Sequence, residues 1–552
     1  MNLRPYQSAA SDSVFREWET NTSTLVVLPT GLGKTVLFAD VIRRMFPRRA
    51  MVIAHREELI FQARDKIKAV TGLHAEIEMG DIRANFSGSL FGPACRVVVS
   101  TVQTLTAGGD GSGRMTRFDP EAFGALIIDE AHHATSGSYR RVIDWFTKNE
   151  RTRVLGVTAT PDRSDEEALG QVFDSVAYDY EILDAIRDGW LVPVEQQMID
   201  VAGLDFSSVR TTAGDLNGAD LAEVMEREEM LHKIASPSIE IIGNRRAIAF
   251  CSSVAHAERL SEIFNRHKAG MASWICGATD KEDRRRALSD FAQGKIQIMC
   301  NCGVLTEGFD DWGVEVIIMG RPTKSRSLYA QMVGRGTRPQ PGTVDGPETP
   351  EERRDAIASS RKTSCLVVDF VGASGRHKLV STADILGGNV SDEIVAAATL
   401  KARKSSGKPV RMDDAIEEAE REAKERAEAE AARRARLTLK ANFTKRTVDP
   451  FDVFSIEPVV TRGWDNGKQL TPKQSEILAK QGIDTSRMPY AQAKQVLNEI
   501  FRRWDGGLCS YKQAALLKKY GVDGKNLSRE QAKAQIDAIA ANGWKRVAEV
   551  VA

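Results

Sequence analysis

Three short stretches carry residues whose types and spacing suit one reaction. In "LPTGLGKTVL", residues 28–37, Gly31 and Gly33 free the backbone to turn its N–H groups around phosphate oxygens. Lys34 can neutralise the β- and γ-phosphates, and Thr35 offers a hydroxyl to Mg²⁺. An ordinary strand-to-helix turn has the same look, so the second stretch matters. "IIDEAHHA" places Asp129 and Glu130 directly after an apolar run, at the strand end where an open parallel sheet binds ligands. Taken alone, two such carboxylates also read as helix N-caps; with the glycine turn upstream they read as Asp129 for the metal shell and Glu130 for a water-activating base. The third stretch, "QMVGRGTR", supplies Arg335 and Arg338, on one face if helical. Cations delivered late to a γ-phosphate lower the barrier to its hydrolysis.

These residues need a scaffold, and the sequence offers two. Near-continuous apolar runs alternate with helical patterns up to about residue 190: "STLVVLPT", "RAMVIAH", "CRVVVSTV", "GALIIDE" and "RVLGVTATP". Strands buried on both faces imply a parallel sheet covered by helices. A second series, "RRAIAFCSS", "QIMCNCGV", "VEVIIMGR" and "SCLVVDFVG", follows a more polar stretch. The pattern predicts an α/β chain with a first lobe over 1–194 that carries the phosphate turn, a connection over 195–234 and a second lobe over 235–390. The Pro-, Gly- and charge-rich run between "GRGTRP" and "TSCLVV" is expected as a surface excursion.

Composition narrows the class. At 552 residues the chain exceeds one core, and 42% hydrophobic with 28% charged residues describes a globular protein. No apolar run approaches the ~20 residues of a spanning helix and the first residues lack a signal-peptide core, so a cytoplasmic location with no membrane partner is expected. Seven scattered cysteines without a CxxC pair suggest buried thiols and no zinc. Lys plus Arg balances Asp plus Glu, 76 against 76, so any grip on phosphates must come from a local surface.

Beyond about residue 405 the character changes. An Ala-, Glu- and Arg-rich run, acidic first and basic last, predicts a solvated linker helix over 405–445, with a partner-binding helix as the other reading. Residues 466–552 hold a tandem repeat of helical hairpins, in which Lys473, Gln474, Leu478, Lys480, Gly482 and Asp484 recur as Lys512, Gln513, Leu517, Lys519, Gly521 and Asp523. Each unit opens with a capping box, Thr471 to Gln474 and Ser510 to Gln513. The turn resembles the SAP-type DNA-binding hairpin; a helical end cap with solvated lysines, or a protein-partner site, are the other readings.

The ordered series "LRPYQ", "PTGLGKT", "VIAHREEL", "STVQTL", "IIDEAHHA", "GVTATP", "IAFCSSVAHAERL", "NCGVLTEGFD" and "QMVGRGTRP" resembles the motifs of superfamily 2 helicases and translocases, most closely the RadD-like and XPB-like branch. The resemblance implies two tandem RecA-like lobes with ATP and Mg²⁺ between them, and makes Leu28 an ordinary departure from the longer phosphate-loop pattern. It implies that Gln7, Gly308 and Asp310 join Gly31, Gly33, Lys34 and Thr35 at the nucleotide. It assigns coupling to His132, Thr158, Thr160 and Gln331, and sequence-independent backbone contacts with nucleic acid to His55, Arg56, Thr101, Gln103, Ser252 and Thr306. His133 receives no role and is expected to be packed. The zinc-binding segment of RadD-like proteins has no counterpart here. The implied activity is a DNA-dependent ATPase in repair, recombination or replication; the rival readings are an RNA helicase, a restriction-type motor subunit, or a nucleotide-switched DNA-binding scaffold.

Overall fold

The computed structural model describes residues 3–541 and 544, apart from 86–94, 109–112, 160–167, 213, 307, 374–378, 389, 406, 439–448, 455, 460–462, 466 and 486–487. The chain divides into two compact units, Met1–Asp162 with Gln171–Arg426, and Arg163–Gly170 with Ala427–Ala552.

The larger unit contains both α/β lobes. Strands β1 (Ser23–Val27), β2 (Arg49–Ala54), β3 (Ala75–Glu78), β4 (Val97–Thr101), β5 (Phe123–Asp129), β6 (Arg153–Thr158) and β7 (Ser175–Asp179) form a parallel sheet in the order β3-β4-β2-β5-β6-β1-β7. Every residue of β1, β4 and β5 is buried, as strands covered by helices on both faces require. Register levels the strand ends that matter. Val27 pairs with Thr158 and Asp129 with Val157, so the phosphate turn, the acidic pair and the chain beginning at Thr158 leave the sheet side by side.

The second sheet adds β8 (Val194–Asp205), β11 (Arg246–Cys251), β12 (Ala272–Ile275), β13 (Ile298–Asn301), β14 (Val314–Gly320), β15 (Cys365–Ala373) and β16 (Val410–Arg411), in the order β12-β13-β11-β14-β15-β8-β16. Only β16 runs antiparallel to its neighbour. The short strands β9 (Thr211–Thr212) and β10 (Asp215–Leu216) pair as a hairpin.

Four expectations need amendment. The segment over 195–234 is not only a connection: most of β8 lies in it and pairs in parallel with β15 along its length. Its alternating burial hid it from a search for continuous apolar runs. The second lobe also runs past residue 390, since β16 closes the sheet edge. The helix Met412–Thr438 starts docked rather than solvated: Met412, Ala415, Ile416 and Ala419 are buried, and Arg187 and Lys401 pair with Glu417, Glu420, Glu418 and Glu422. The surface excursion, finally, carries a capped helix, Pro350–Ala358, whose Arg353 is buried over the Trp190 ring at 4.0 Å and donates to the Asp188 carbonyl.

The smaller unit holds the repeats. Both expected capping boxes form, and Gly482 ends its helix in the left-handed conformation. A third reciprocal pair, Ser528 with Gln531, caps the last helix, Arg529–Ala541. Lys473, Lys480, Lys512, Lys518 and Lys519 are exposed.

Candidate nucleotide site and its two lobes

The phosphate turn begins where β1 ends. Gly31 and Gly33 take φ of 93° and 79°, conformations that side chains rarely adopt, and the helix Lys34–Met45 starts immediately after. Gln7 braces the turn. Its amide donates to the Leu32 carbonyl at 2.9 Å and accepts from the Arg4 N–H at 3.0 Å, while the Tyr6 hydroxyl donates to the same Leu32 carbonyl. An amide has two donors and two acceptor lone pairs, so this bracing leaves Gln7 capacity for a further partner.

Across the turn, Lys34 Nζ lies 2.9 Å from Glu130 Oε1. Glu130 has φ of 51°, a strained value for a residue with a side chain, and its N–H donates to Asp129 Oδ1 at 3.0 Å. Burial alone would raise the Glu130 carboxyl; Lys34, His132 and Arg335 together reverse that and hold it below the usual carboxylate range. Its Oε2 is buried without a hydrogen-bond partner among the described residues, with His132 Nδ1 3.5 Å away. The same His132 nitrogen stands 3.2 Å from Thr158 Oγ1, which ties the acidic pair to the end of β6. Thr160 lies outside the described residues.

The second lobe supplies the arginines. The helix Arg326–Val333, which carries the buried Gln331, stops before them, so Arg335 and Arg338 leave from the turn that follows and share no helical face. Arg335 is buried and donates to the Phe309 and Thr306 carbonyls at 2.6 and 2.7 Å. Arg338 pairs with Asp310 and lies over the phosphate turn: a Cβ added at Gly31 would meet its Cγ at 3.1 Å. Burial pushes the Arg338 guanidinium down to about 10. Gly334 reaches the turn as well, its Cβ position 2.8 Å from Thr30 Cβ. One lobe thus presents a lysine, a hydroxyl and two carboxylates, the other two guanidinium groups, around a glycine-lined cradle. The hard oxygens of Thr35 and Asp129 suit a Mg²⁺ ion.

Residues 1–163 match the family model "Type III restriction enzyme, res subunit", and residues 226–340 match "Helicase conserved C-terminal domain". The "Putative ATP-dependent helicase IRC3" of Saccharomyces cerevisiae is 31% identical over 425 residues, 73% of this chain and 56% of that protein. The "Putative mitochondrial ATP-dependent helicase irc3" of Schizosaccharomyces pombe is 28% identical, over 69% of this chain and 59% of its own length. The "Putative DNA 3'-5' helicase Rad25" of Haloarcula marismortui is 26% identical, over 68% and 55%. The chain belongs to the superfamily 2 helicases. It spans a little over half the length of the curated relatives it matches.

The remaining superfamily 2 motif residues sit at carboxyl ends of strands, in varied states. Gln103 is exposed after β4, whereas Thr101 is buried and caps the helix Val102–Thr106 by accepting from the Thr104 N–H. Arg56, after β2, donates to the Gly303 and Val304 carbonyls of the second lobe at 3.1 and 3.3 Å. Gln62 donates to the Gly308 carbonyl and Lys281 pairs with Glu57, so the helix Glu57–Thr71 also bridges the lobes. Ser252, after β11, contacts His256 Nδ1 through both its N–H and its hydroxyl, and Thr306 is buried with its carbonyl held by Arg335. His55 stacks on His133 at 4.3 Å.

Sequence reasoning missed several side chains around this helicase site. Arg4, three residues before Gln7, pairs with Asp345 of the second lobe at 2.8 Å and lies 5.1 Å from the centre of the Trp190 ring. Tyr6 stacks on Tyr180 at 5.5 Å. The only early signal for these was the aromatic residue inside "LRPYQ", which sequence spacing alone does not connect to positions 180 and 190.

Proposed function

We propose that this chain is a nucleic-acid-dependent ATPase that translocates on DNA or unwinds it. The observation that carries the reading is the approach of Arg338 and Arg335 from the second lobe to the Gly31 turn and Glu130 of the first. A site assembled from two lobes can turn triphosphate hydrolysis into relative lobe movement.

In this reading Gly31, Gly33 and Lys34 hold the phosphates, with Gln7 at the adenine and Gly308 and Asp310 facing the nucleotide from the second lobe. Thr35 and Asp129 hold Mg²⁺, which when bound shields phosphate charge. Glu130 accepts the proton of the attacking water. Its carboxylate is kept ionised by Lys34, and it becomes a stronger base as Lys34 turns to the phosphates. Arg335 and Arg338 stabilise the charge that builds on the γ-phosphate. His132, Thr158, Thr160 and Gln331 couple that event to the strand, gripped through its backbone at His55, Arg56, Thr101, Gln103, Ser252 and Thr306. Work in repair, recombination or replication, a cytoplasmic location, and a protein partner at the C-terminal repeats belong to the same reading.

The test is ATP hydrolysis by the full chain with no polynucleotide, single-stranded DNA, double-stranded DNA and RNA. Stimulation by DNA above RNA supports the proposal; equal rates in all four reactions contradict it. The match of residues 1–163 to a restriction-enzyme subunit model favours one second reading, a motor subunit of a restriction-type system. That reading predicts hydrolysis that stays low on DNA until the partner subunits are added.

A further inference from the structure

His133 has no task in the nucleotide site, yet it touches residues that do. Its ring stacks on His55 at 4.3 Å with 25° between planes, lies 4.1 Å from His132, and runs nearly parallel to the Tyr139 ring at 6.5 Å. His133 Nε2 and His55 Nδ1 are buried without hydrogen-bond partners among the described residues. At these two nitrogens the rings are held by packing rather than by a hydrogen bond. A ring displaced in a close-packed stack cannot simply exchange one hydrogen bond for another, so it pushes its neighbour.

The two ends of the stack lie where such a push would matter. At one end, His55 precedes Arg56, which reaches the Gly303 and Val304 carbonyls of the second lobe. At the other, His132 stands 3.5 Å from Glu130 Oε2 and 3.2 Å from Thr158 Oγ1. Glu130 itself has the strained φ of 51°, so the packing of the short helix Ala131–Thr135 behind it decides where its carboxylate points. His133 also stays neutral across the working pH range. Burial, with His132 and His55 adjacent, pushes its imidazole down to about 3, which leaves a mechanical link rather than a titrating one.

We propose that the His55–His133–His132 array relays engagement of nucleic acid at the His55–Arg56 loop to the position of Glu130, with His133 as a positioning residue for the DNA-stimulated part of hydrolysis alone. The proposal rests on the reading of that loop as a strand contact. It assigns to ring packing what a hydrogen-bond network would otherwise do.

The experiment compares the full-length chain with His133→Ala, His133→Phe and His133→Leu. It reads ATP hydrolysis with and without a mixed-sequence double-stranded oligonucleotide, and affinity for that oligonucleotide by fluorescence anisotropy. The expected result for His133→Ala is basal hydrolysis and DNA affinity close to the unmodified chain, with DNA stimulation lower by about tenfold, within the range of site-to-site coupling. His133→Phe, which keeps a flat ring, restores stimulation, and His133→Leu does not. Full stimulation of His133→Ala overturns the proposal, as does equal stimulation of the Leu and Phe variants if the Ala variant fails to fold. Absence of DNA stimulation in the unmodified chain would instead remove the functional reading beneath it.

Discussion

Arg338 of the second lobe crosses Gly31 of the first so closely that one added methyl group at Gly31 would stand 3.1 Å from its Cγ. Gly31 also has φ of 93°, so Gly31→Ala meets a conformational penalty and a crowded guanidinium at once. The expected cost is about 1–3 kcal/mol of stability, with weaker nucleotide binding. Thermal unfolding and titration with a fluorescent ATP analogue check both. Gly33→Ala should behave alike, since its Cβ would meet Gln7 Nε2 at 2.8 Å.

Glu130→Gln keeps the shape of the side chain and loses the base. ATP should still bind, while kcat with DNA falls by roughly 10²–10⁴. The neutral amide also leaves Lys34 without its 2.9 Å carboxylate partner, which frees the lysine for phosphate. Nucleotide affinity is therefore expected to hold or rise. Equilibrium binding beside single-turnover hydrolysis separates the two effects.

Acid should weaken the second lobe through His256. This ring is fully buried, its Nδ1 accepts from the Ser252 N–H, and burial pushes it down to about 4. The unfolded chain takes up that proton near the ordinary histidine value, the folded chain only below about 4. Between those values the unfolded state holds more protons, so stability falls as pH falls through the window. The total is on the order of 3 kcal/mol for this group. Urea midpoints from pH 7 to pH 4, for the unmodified chain and for His256→Phe, test it: the variant should show a flatter dependence.

In the smaller unit, Arg503 is buried and donates to the carbonyls of Cys509, Gly524 and Lys525, each at 2.9 Å. Arg503→Leu removes that donor: the Gly524 carbonyl keeps the Cys509 thiol at 3.1 Å, whereas the Cys509 and Lys525 carbonyls lose the guanidinium, at about 1–3 kcal/mol for each buried acceptor left unmet. Hydrogen exchange should rise in the helices Tyr511–Lys519 and Arg529–Ala541. Hydrolysis in the absence of polynucleotide should be unchanged.

The parts of this molecule legible in the sequence are those written in consecutive residues. The glycine turn, the acidic pair and the capping boxes at Thr471 and Ser510 each need only local spacing to be recognised, and apolar runs mark β1, β4 and β5. Strand β8 lies in a stretch that reads as polar, yet its Gln196 is buried and donates to Asp369 Oδ2 at 2.5 Å. Nothing local announces a glutamine that faces inward to a carboxylate 173 positions away. The same holds for Arg353 over Trp190, Arg503 in its ring of carbonyls and the His55–His133 stack. In each, the partners carry no mutual signal in one sequence. The two arginines are legible by charge, but the shared face holds only if they are helical, and the helix before them ends at Val333.

The central claim is that ATP is hydrolysed in a site completed by the second lobe, and Arg338→Ala tests it most directly, with kcat measured at saturating DNA and nucleotide affinity measured alongside. A fall in kcat of about 10³ or more, with ATP still bound, is the predicted result. Hydrolysis at the unmodified rate would contradict the account.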